Sequence, residues 1–328
     1  MTQRAGRVVV VGSFNVDHVW SVAKLPDTGE TLAGEYHTGP GGKGFNQATA
    51  AARAGADTVF VCALGDDIGG QLARALATAD GIDLRDAHSH APTGTAGIYV
   101  DADGRNCIVI GAGANASLSP AFVADQHDLL GSASAVLAQL ESPLAAVTEA
   151  LRIACAAGVV TVLNPAPANA VASPELLALA TVLTPNETEF VALLGRAGID
   201  SPTADAIGGL GDDALHALCR RLHPRGSVVV TLGAAGCFVS HAADALRGDT
   251  SGTYRIAAEP CQAVDTTGAG DAFNGALVAA LASRPGAAFA EHVTFANRYA
   301  GLSTEAEGAA ASMPRQADFQ ARFGPGDG

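Results

Sequence analysis

Segments with the composition of β-strands alternate with helix-like segments along most of the chain, and this alternation restricts the possible folds strongly. Residues 7–12 are a β-branched run, and residues 43–55 are an Ala-rich helical segment. Further strands are predicted at 58–64, 135–139, 159–164, near 182 and at 228–232, and helices at 68–79 and 143–157. Nearly continuous apolar strands separated by helices indicate a parallel sheet that is covered on both faces.

Two stretches depart from this alternation. Residues 17–38 and 95–111 are strand-like and contain no helix, and the Asp-Ala-Asp-Gly sequence at 101–104 has the composition of a hairpin turn. They predict a small antiparallel sheet that projects from the main body. On pattern alone, two hairpins at the edges of the main sheet remain the alternative. A chain of 328 residues accommodates one large α/β domain or two smaller ones.

Composition and charge exclude several classes of protein. Hydrophobic residues make up 48% of the chain and charged residues 16%, which excludes a disordered protein, and no apolar run approaches the roughly 18 residues of a membrane span. The apolar run at 7–12 is too short and too β-branched for a signal peptide, which predicts a cytoplasmic location. The net charge of −14 would repel a polyanion, so we expect neither nucleic acid nor a membrane as a partner.

The strongest functional signal lies directly before a helix predicted at 272–282. It reads Asp265-Thr266-Thr267-Gly268-Ala269-Gly270-Asp271. Small residues before a helix leave the N–H groups of its first turn uncovered, and the helix dipole favours an anion there. Because Asp271 would accept the proton of an attacking hydroxyl beside that anion, the segment suits phosphoryl transfer. For an isolated motif, a plain helix cap is the alternative interpretation.

A second glycine-rich element leads into the helix predicted at 43–55. It reads Gly39-Pro40-Gly41-Gly42-Lys43-Gly44-Phe45-Asn46-Gln47-Ala48. The element lacks the spacing of a P-loop, and the first strand is not followed by a dinucleotide fingerprint. Its glycines let a ligand approach the backbone, while Lys43 and Asn46 offer donors. Upstream, Asn15 and Asp17 lie two residues apart on a strand-like stretch, so they face the same side and together can hold a vicinal diol. For each residue taken singly, a role in a turn is the alternative interpretation.

These elements resemble the two signatures of the PfkB carbohydrate-kinase family. Residues 41–65 have the glycines, the Asn46 and the gaps of the first signature, and residues 265–277 match the second. The likeness is closest to the family's ribose-phosphorylating members and extends from about Val8 to Pro314. The segments that carry it follow in the same order, at 12–18, 41–48, 140–143, 164–167 and 184–189.

The resemblance implies an ATP-dependent sugar kinase that phosphorylates the 5-hydroxyl of ribose. It implies that Asp271 is the catalytic base and that the amides of Gly268, Ala269 and Gly270 form an anion hole. The pentose would be held by the residues that match the family's sugar site, which are Asn15, Asp17, Gly41, Gly42, Lys43, Asn46, Glu141 and Asp271.

The resemblance also implies a nucleotide site and two cation sites. Asn186 and Glu189 match a pattern that the family uses for the triphosphate and its Mg²⁺, with Glu189 acting partly through water; on spacing alone they are an acidic helix start. The implied ATP contacts are Asn186, Thr231, Leu232, Gly233, Ala234, Ala235, Gly236, Gly270, Asp271 and Asn297. An activating K⁺ or other monovalent cation would bind at Asp265, Thr267, Ser303, Ala306, Gly308 and Ser312.

The implied fold is a three-layer αβα sandwich with a mostly parallel central sheet and a small β-sheet lid. One domain would span 1–328, with lid segments at about 15–40 and 95–111 inside it. Lid sheets in this family commonly pair across a homodimer, so we expect a dimer. A kinase for 2-deoxyribose, for another sugar or for a nucleoside remains an alternative, as does a non-catalytic sugar-binding protein.

Overall fold

The computed structural model describes residues 6–324, so the two ends of the domain predicted over 1–328 lie outside the described residues. The strands are β1 (Arg7–Val11), β2 (Asn15–Val22), β3 (Glu35–Gly41), β4 (Asp57–Gly65), β5 (Asp83–Ser89), β6 (Gly94–Asp101), β7 (Asn106–Gly111), β8 (Ala135–Ala138), β9 (Val160–Leu163), β10 (Val182–Leu183), β11 (Ser227–Thr231), β12 (Cys237–Ser240) and β13 (Thr253–Ile256).

The helices alternate with these strands over most of the chain, as the sequence predicts. They are α1 (Lys43–Arg53), α2 (Ile68–Ala79), α3 (Pro120–Ala124), α4 (His127–Gly131), α5 (Leu144–Ala156), α6 (Pro174–Ala178), α7 (Glu187–Arg196), α8 (Ala204–Ile207), α9 (Asp212–Leu222), α10 (Ala269–Ser283), α11 (Phe289–Ser303) and α12 (Gln316–Phe323). Within residues 6–324, no helix is long and apolar enough to cross a membrane.

Nine strands of the described chain form the main sheet in the order β13-β12-β11-β10-β9-β8-β1-β4-β5. Neighbouring strands of this sheet are parallel from β5 to β11, and β12 is antiparallel to both of its neighbours, β11 and β13. Consecutive residues of a strand point to opposite faces, and in β1 both faces are buried: Val9 and Val11 join one core cluster, Val8 and Val10 the other. The predicted three-layer αβα arrangement is therefore confirmed.

A separate four-stranded sheet, which we name the lid sheet, has the order β3-β2-β6-β7. The alternative of two hairpins at the edges of the main sheet is wrong. The β6–β7 turn forms where the sequence predicts it, with the amide of Gly104 donating to the carbonyl of Asp101. The prediction of an antiparallel sheet is wrong for its central pair, because β2 and β6 are parallel. A long crossover that contains α1, β4, α2 and β5 joins these two strands, and a parallel pair requires such a connection.

The carboxyl ends of the parallel strands gather polar residues at one edge of the main sheet. Glu141 follows β8, Asn164 follows β9, and Asn186 follows β10 after a short gap. The glycine-rich starts of α1 and α10 reach the same edge, since Asn46 of α1 contacts Asp271 of α10. In an open α/β sheet, ligands bind at this edge.

Candidate active site

Asp271 lies in the first turn of α10 and is held by two amide side chains of α1. The Asn46 Nδ2 donates to its Oδ2 at 2.9 Å, and the Gln47 Nε2 donates to its Oδ1 at 2.8 Å. Each oxygen keeps free lone pairs, so the carboxylate is fixed in position yet can accept a further proton. Burial raises the pKa of Asp271, while the nearby Lys43 charge and the two amide donors oppose that rise.

A buried network supports this carboxylate, and sequence reasoning assigned no role to its members. The Gln47 Nε2 also donates to the Asn164 Oδ1 at 3.1 Å, and the Gln139 Nε2 donates to the Gln47 Oε1 at 2.5 Å. Asn274, one turn after Asp271, donates to the Gly270 carbonyl at 2.8 Å. The network fixes the side-chain orientation of Gln47, and through it the orientation of the Asp271 carboxylate.

The glycine-rich segment before α10 forms one wall of a cavity of about 160 Å³. Gly268 has a positive φ of 78°, which turns the chain into the helix. The Ala269 amide donates to the Thr266 carbonyl at 3.2 Å, whereas within residues 6–324 the amides of Gly270 and Asp271 donate to no protein acceptor. The cavity is lined by Lys43, Asn164, Ala166, Thr184, Asn186, Glu189, Thr231, Thr266, Gly268, Ala269, Gly270, Asp271 and Asn274.

Asp17 of β2 lies against Gly41 of β3. A β-carbon built on Gly41 would overlap the Asp17 Oδ2, so a larger residue would displace that carboxyl group. The pKa of Asp17 is raised to about 7, first by burial and then by the charges of Glu141 and Asp271. The structure therefore brings these three predicted site carboxylates close enough for their charges to interact.

Glu141 joins the end of β8 to the start of α1. Its Oε2 accepts from the Ser13 hydroxyl at 2.7 Å and from the Lys43 amide at 3.0 Å. Gly42, the residue before Lys43, has a positive φ of 87°, and a β-carbon there would come within 2.8 Å of the Asn15 amide nitrogen. The glycine thus lets the chain pass close to β2 and turn into α1.

Asn15 begins β2, and its side chain is held by Asn115, a residue that sequence reasoning missed. The Asn115 Nδ2 donates to the Asn15 Oδ1 and to the Phe14 carbonyl, each at 2.9 Å. The Phe14 amide donates back to the Asn115 Oδ1 at 3.0 Å. Asn115 therefore fixes the point where the chain leaves the main sheet and enters the lid sheet.

Lys43 is the one cationic side chain that lines the 160 Å³ cavity within the described part of the chain. Burial alone would lower its pKa, but the charges of Asp271, Glu141 and Glu189 raise it. Lys43 is therefore protonated at neutral pH. The cavity is lined by one ammonium group and by the carboxylates of Glu189 and Asp271. A triphosphate bound there would therefore need a further cation to balance its negative charge.

Asn186 and Glu189 form a capping box at the start of α7. The Asn186 Oδ1 accepts from the Glu189 amide at 2.8 Å, and the Glu189 Oε2 accepts from the Asn186 amide at 2.9 Å. Burial raises the pKa of Glu189. The plain helix start that spacing alone allows is therefore present, but both side chains also line the cavity beside Asp271.

The loop at 231–236 joins β11 to β12 and includes a short 3₁₀ turn, Gly233–Ala235. Thr231 lines the cavity, and its backbone forms an isolated parallel β-bridge with that of Asn186. Asn297 of α11 does not line it; its Nδ2 donates to the Ala257 carbonyl at 2.7 Å. That carbonyl lies beside the loop, because a β-carbon built on Gly236 would come within 2.7 Å of the Ala257 carbonyl carbon. Asn297 is therefore close to the loop but separated from the cavity.

Asp265 connects the glycine-rich segment to the segment that follows α11. Its Oδ1 accepts from the Thr267 amide and its Oδ2 from the Gly308 amide, each at 2.9 Å. Burial opposes ionisation, but these amide donors lower the pKa of Asp265. The hydroxyls of Ser303 and Ser312 donate to nearby backbone carbonyls, of Ala300 at 2.8 Å and of Ala309 at 2.9 Å.

A buried aspartate beside uncovered amides, at the carboxyl edge of a three-layer αβα sandwich, defines a phosphotransferase that acts on an alcohol. The family model described as pfkB family carbohydrate kinase matches residues 5–316, so the chain belongs to that family of ATP-dependent sugar kinases. It is similar to ribokinases: it is 39% identical to the one from Haemophilus influenzae over 94% of this chain and 95% of that one. Identity to the ribokinase of Mus musculus is 38%, over 97% and 94% of the two chains.

Solved structures give the same result for the fold. The structure of Arabidopsis thaliana ribokinase complexed with ribose and ATP superposes with a TM-score of 0.83 at 30% identity, covering 97% of this chain and 98% of that one. The lid sheet and the main sheet are thus arranged as in a sugar kinase of this family.

Proposed function

We propose that this protein is a ribokinase, which transfers the γ-phosphoryl group of ATP to the 5-hydroxyl of D-ribose to give D-ribose 5-phosphate and ADP. The observation that carries the proposal is the fixed position of the Asp271 carboxylate, which is held by Asn46 and Gln47 at the rim of a cavity that has uncovered amides. The likeness to ribokinases over almost the whole chain supports the choice of substrate.

Asp271 would act as the base. Its free lone pairs accept the proton of the 5-hydroxyl as the oxygen bonds to the γ-phosphorus and the bond to the ADP oxygen breaks. The amides of Gly270 and Asp271 would donate to the transferring phosphoryl group, while Gly268 and Ala269 shape the turn that exposes them. Positioning and charge stabilisation of this kind account for most of the catalysis of phosphoryl transfer.

The ribose hydroxyls would bind to the wall formed by Asn15, Asp17, Glu141 and the backbone at 41–43. Asp17 supports this role because its half-buried carboxyl group lies close enough to Glu141 and Asp271 for their charges to raise its pKa. Within the described residues, the Asn46 Oδ1 is a buried acceptor with no hydrogen-bond partner. A ribose hydroxyl would supply the missing donor, which removes the cost of leaving that atom unpaired.

The ATP phosphates would lie between the α10 start, Lys43 and Asn186, with the adenosine toward the loop at 231–236 and Asn297. The shortage of positive charge in the cavity supports a requirement for Mg²⁺, for which Glu189 offers a carboxylate; no group of three or more acidic, His or Cys side chains within residues 6–324 could hold a metal by itself. Most Mg²⁺ ligands would then be phosphate oxygens and water.

A monovalent cation such as K⁺ would bind beside the anion hole. The supporting observation is Asp265, which is ionised and holds the Gly308 amide, so it brings together the two segments that supply the other groups. Those groups are Thr267, the carbonyls of Ser303, Ala306 and Gly308, and the Ser312 hydroxyl. Oxygen ligands of this kind fit a hard cation.

The kinase would act in the cytoplasm as one domain, with lid segments at about 15–40 and 95–111, and would form a homodimer through the lid sheet. Trp20 stacks on Tyr99 and contacts Tyr36, each with ring centroids 5.2 Å apart, on the face of β2 opposite to Asp17. Tyr36 of β3 and Val109 of β7 lie on this same face and are exposed. Apolar side chains in this amount on a small sheet suit pairing with a second copy. Closure of the lid sheet over ribose would exclude water.

A coupled assay of ADP release tests the proposal, with ribose, 2-deoxyribose, fructose and adenosine as acceptors, each with and without K⁺. We expect the highest kcat/KM for ribose and a higher rate when K⁺ is present. Ribose turnover no better than the rate without any acceptor would refute the substrate, and faster turnover of 2-deoxyribose would identify the enzyme as a deoxyribose kinase.

A further inference from the structure

A second cavity, of about 400 Å³, lies at the opposite edge of the main sheet from the active site. Its floor is formed by Thr181 and Gly226, which directly precede β10 and β11, whereas the active site uses the carboxyl ends of the same strands. Its walls are α6 and the last turns of α7 and α9. We name it the arginine cavity, because Arg196, Arg225 and Arg247 all line it.

The arginine cavity has an excess of positive charge in a strongly acidic protein. The chain has 33 acidic and 19 basic residues, yet the lining contains three arginines and, among the described residues, no Asp or Glu. His223 also lines the cavity, but burial lowers its pKa to about 4, so it is neutral at pH 7. The positive charge therefore comes from the arginines alone.

None of these arginines has a carboxylate partner within the described residues. Arg247 donates to the Ser227 hydroxyl and to the Thr181 carbonyl, each at 3.0 Å, and Arg196 donates to the Ala168 carbonyl at 2.8 Å. Arg225 is exposed at the mouth of the cavity. By contrast, arginines elsewhere in the chain are mostly paired, such as Arg53 with Asp80. Within the described residues, no carboxylate therefore balances the positive charge of these three arginines.

Helix ends explain only part of this cluster. A basic residue stabilises the last turn of a helix, and Arg196 occupies that position in α7. Arg225 and Arg247 belong to no helix. Arg247 has a positive φ of 51°, which is unfavourable for a residue other than glycine, and burial lowers the pKa of its guanidinium group. The fold thus holds a half-buried cation at this place against two unfavourable effects.

Apart from the arginines, the lining is largely apolar. It includes Pro174, Leu177, Leu193, Leu222 and Pro224. Arginine binds carboxylate and phosphate groups through paired N–H donors. A ligand that fits both features has one anionic group and a small apolar body. We propose that the arginine cavity binds a small organic anion, a phosphate ester or a carboxylate, and that its occupancy changes the affinity for ATP.

Three elements connect the two sites directly. Helix α7 begins at the capping box beside the active site and ends at Arg196 in the arginine cavity. Strand β11 leads from Gly226 to Thr231, and β10 from Thr181 to Thr184. An anion that shifts the end of α7 therefore acts on the residues proposed to bind the triphosphate. Any such coupling is reciprocal, so ATP would change the affinity for the anion by the same factor.

Isothermal titration calorimetry with phenyl phosphate and with benzoate tests the binding. The whole protein is first saturated with Mg²⁺, ADP and ribose, so that the active site is filled. Benzyl alcohol is the neutral control and inorganic phosphate the control without an apolar body. We expect saturable binding of at least one organic anion and about tenfold weaker binding in Arg225→Gln, since a hydrogen bond to a charged group is lost.

Arg221→Gln is the matched control, because Arg221 is exposed in the last turn of α9, four residues before Arg225, but does not line the cavity. The anion affinity of this variant should equal that of the unchanged protein. No saturable binding, or equal losses in both variants, would overturn the site. The KM for ATP is then measured with and without the binding anion. A shift in the unchanged protein and in Arg221→Gln that disappears in Arg225→Gln supports the coupling, and an unchanged KM in all three refutes it.

Discussion

The Asp17 carboxyl group, which we propose binds the sugar, lowers the stability of the unliganded protein as the pH rises. Burial, Glu141 and Asp271 raise its pKa from 3.8 to about 7. The folded protein therefore binds a proton here that the unfolded chain releases near pH 4. The contribution of this group to the free energy of unfolding is fully present below pH 4 and is lost as the pH rises to about 7. Three pKa units correspond to a loss of about 4 kcal/mol, which is an upper value because water reaches the group.

Asp17→Asn removes this charge without changing the size of the side chain. We expect the variant to be more stable than the unchanged protein at pH 8, and the gain to be larger at pH 8 than at pH 5, by at most about 2.5 kcal/mol. Urea unfolding at both pH values measures the two gains. The same variant should have a higher KM for ribose at pH 8, because an amide cannot replace a carboxylate that accepts from two hydroxyls.

Asp66→Asn is the control, because Asp66 is an exposed aspartate outside the site. It reports the effect of removing one negative charge from a chain with a net charge of −14. If Asp17→Asn gave the same gain in stability at pH 5 and pH 8, the Asp17 carboxyl group would not be perturbed by its surroundings, and the reasoning would be refuted.

Three further variants test separate parts of the site. Asp271→Asn should lower kcat by about 10²–10⁴ while ribose binding, measured by calorimetry, persists; a near-normal kcat would remove Asp271 from the mechanism. Gly41→Ala should raise the KM for ribose at least tenfold, because its methyl group would displace the Asp17 carboxyl group; an unchanged KM would show that Asp17 does not contact the sugar. Glu189→Gln should raise the Mg²⁺ concentration needed for half-maximal rate several-fold, and an unchanged Mg²⁺ dependence would exclude Glu189 as a ligand.

Six strands of the main sheet (β1, β4, β8, β9, β10 and β11) could be predicted from the sequence, because each is a short apolar run with a clear pattern. The sequence pattern does not give β5, β12 or β13, and β5 and β13 are only partly buried and so lack such a run. The helix predicted at 68–79 matches α2, Ile68–Ala79, in both bounds. The central pair of the lid sheet is not local: β2 and β6 lie about 80 residues apart in the chain, and composition carries no information on their relative direction. For this reason the sequence pattern predicts an antiparallel lid sheet throughout, whereas its central pair is parallel.

The side chains that hold Asp271 also show that contacts between distant parts of the chain are hard to predict from the sequence. Asn46 is predictable because it belongs to the glycine-rich element, but Gln47 contacts Asp271 across 224 positions of the chain. The available signal was a pair of amides, Asn46 and Gln47, inside an Ala-rich helix where a buried polar side chain requires a partner. Asn115 gave no such signal, because a lone Asn in a loop is typical of turns.

The position of Trp20 gives the protein an optical reporter. It is the single tryptophan of the chain, and it lies on the strand that begins with Asn15 and Asp17, stacked against Tyr99. Its emission spectrum therefore reads out the lid sheet alone, without interference from the main body. A blue shift on raising the protein concentration would report the proposed association of two copies, and quenching on adding ribose would report the proposed closure of the lid sheet. Fluorescence of the unlabelled protein therefore tests both proposals.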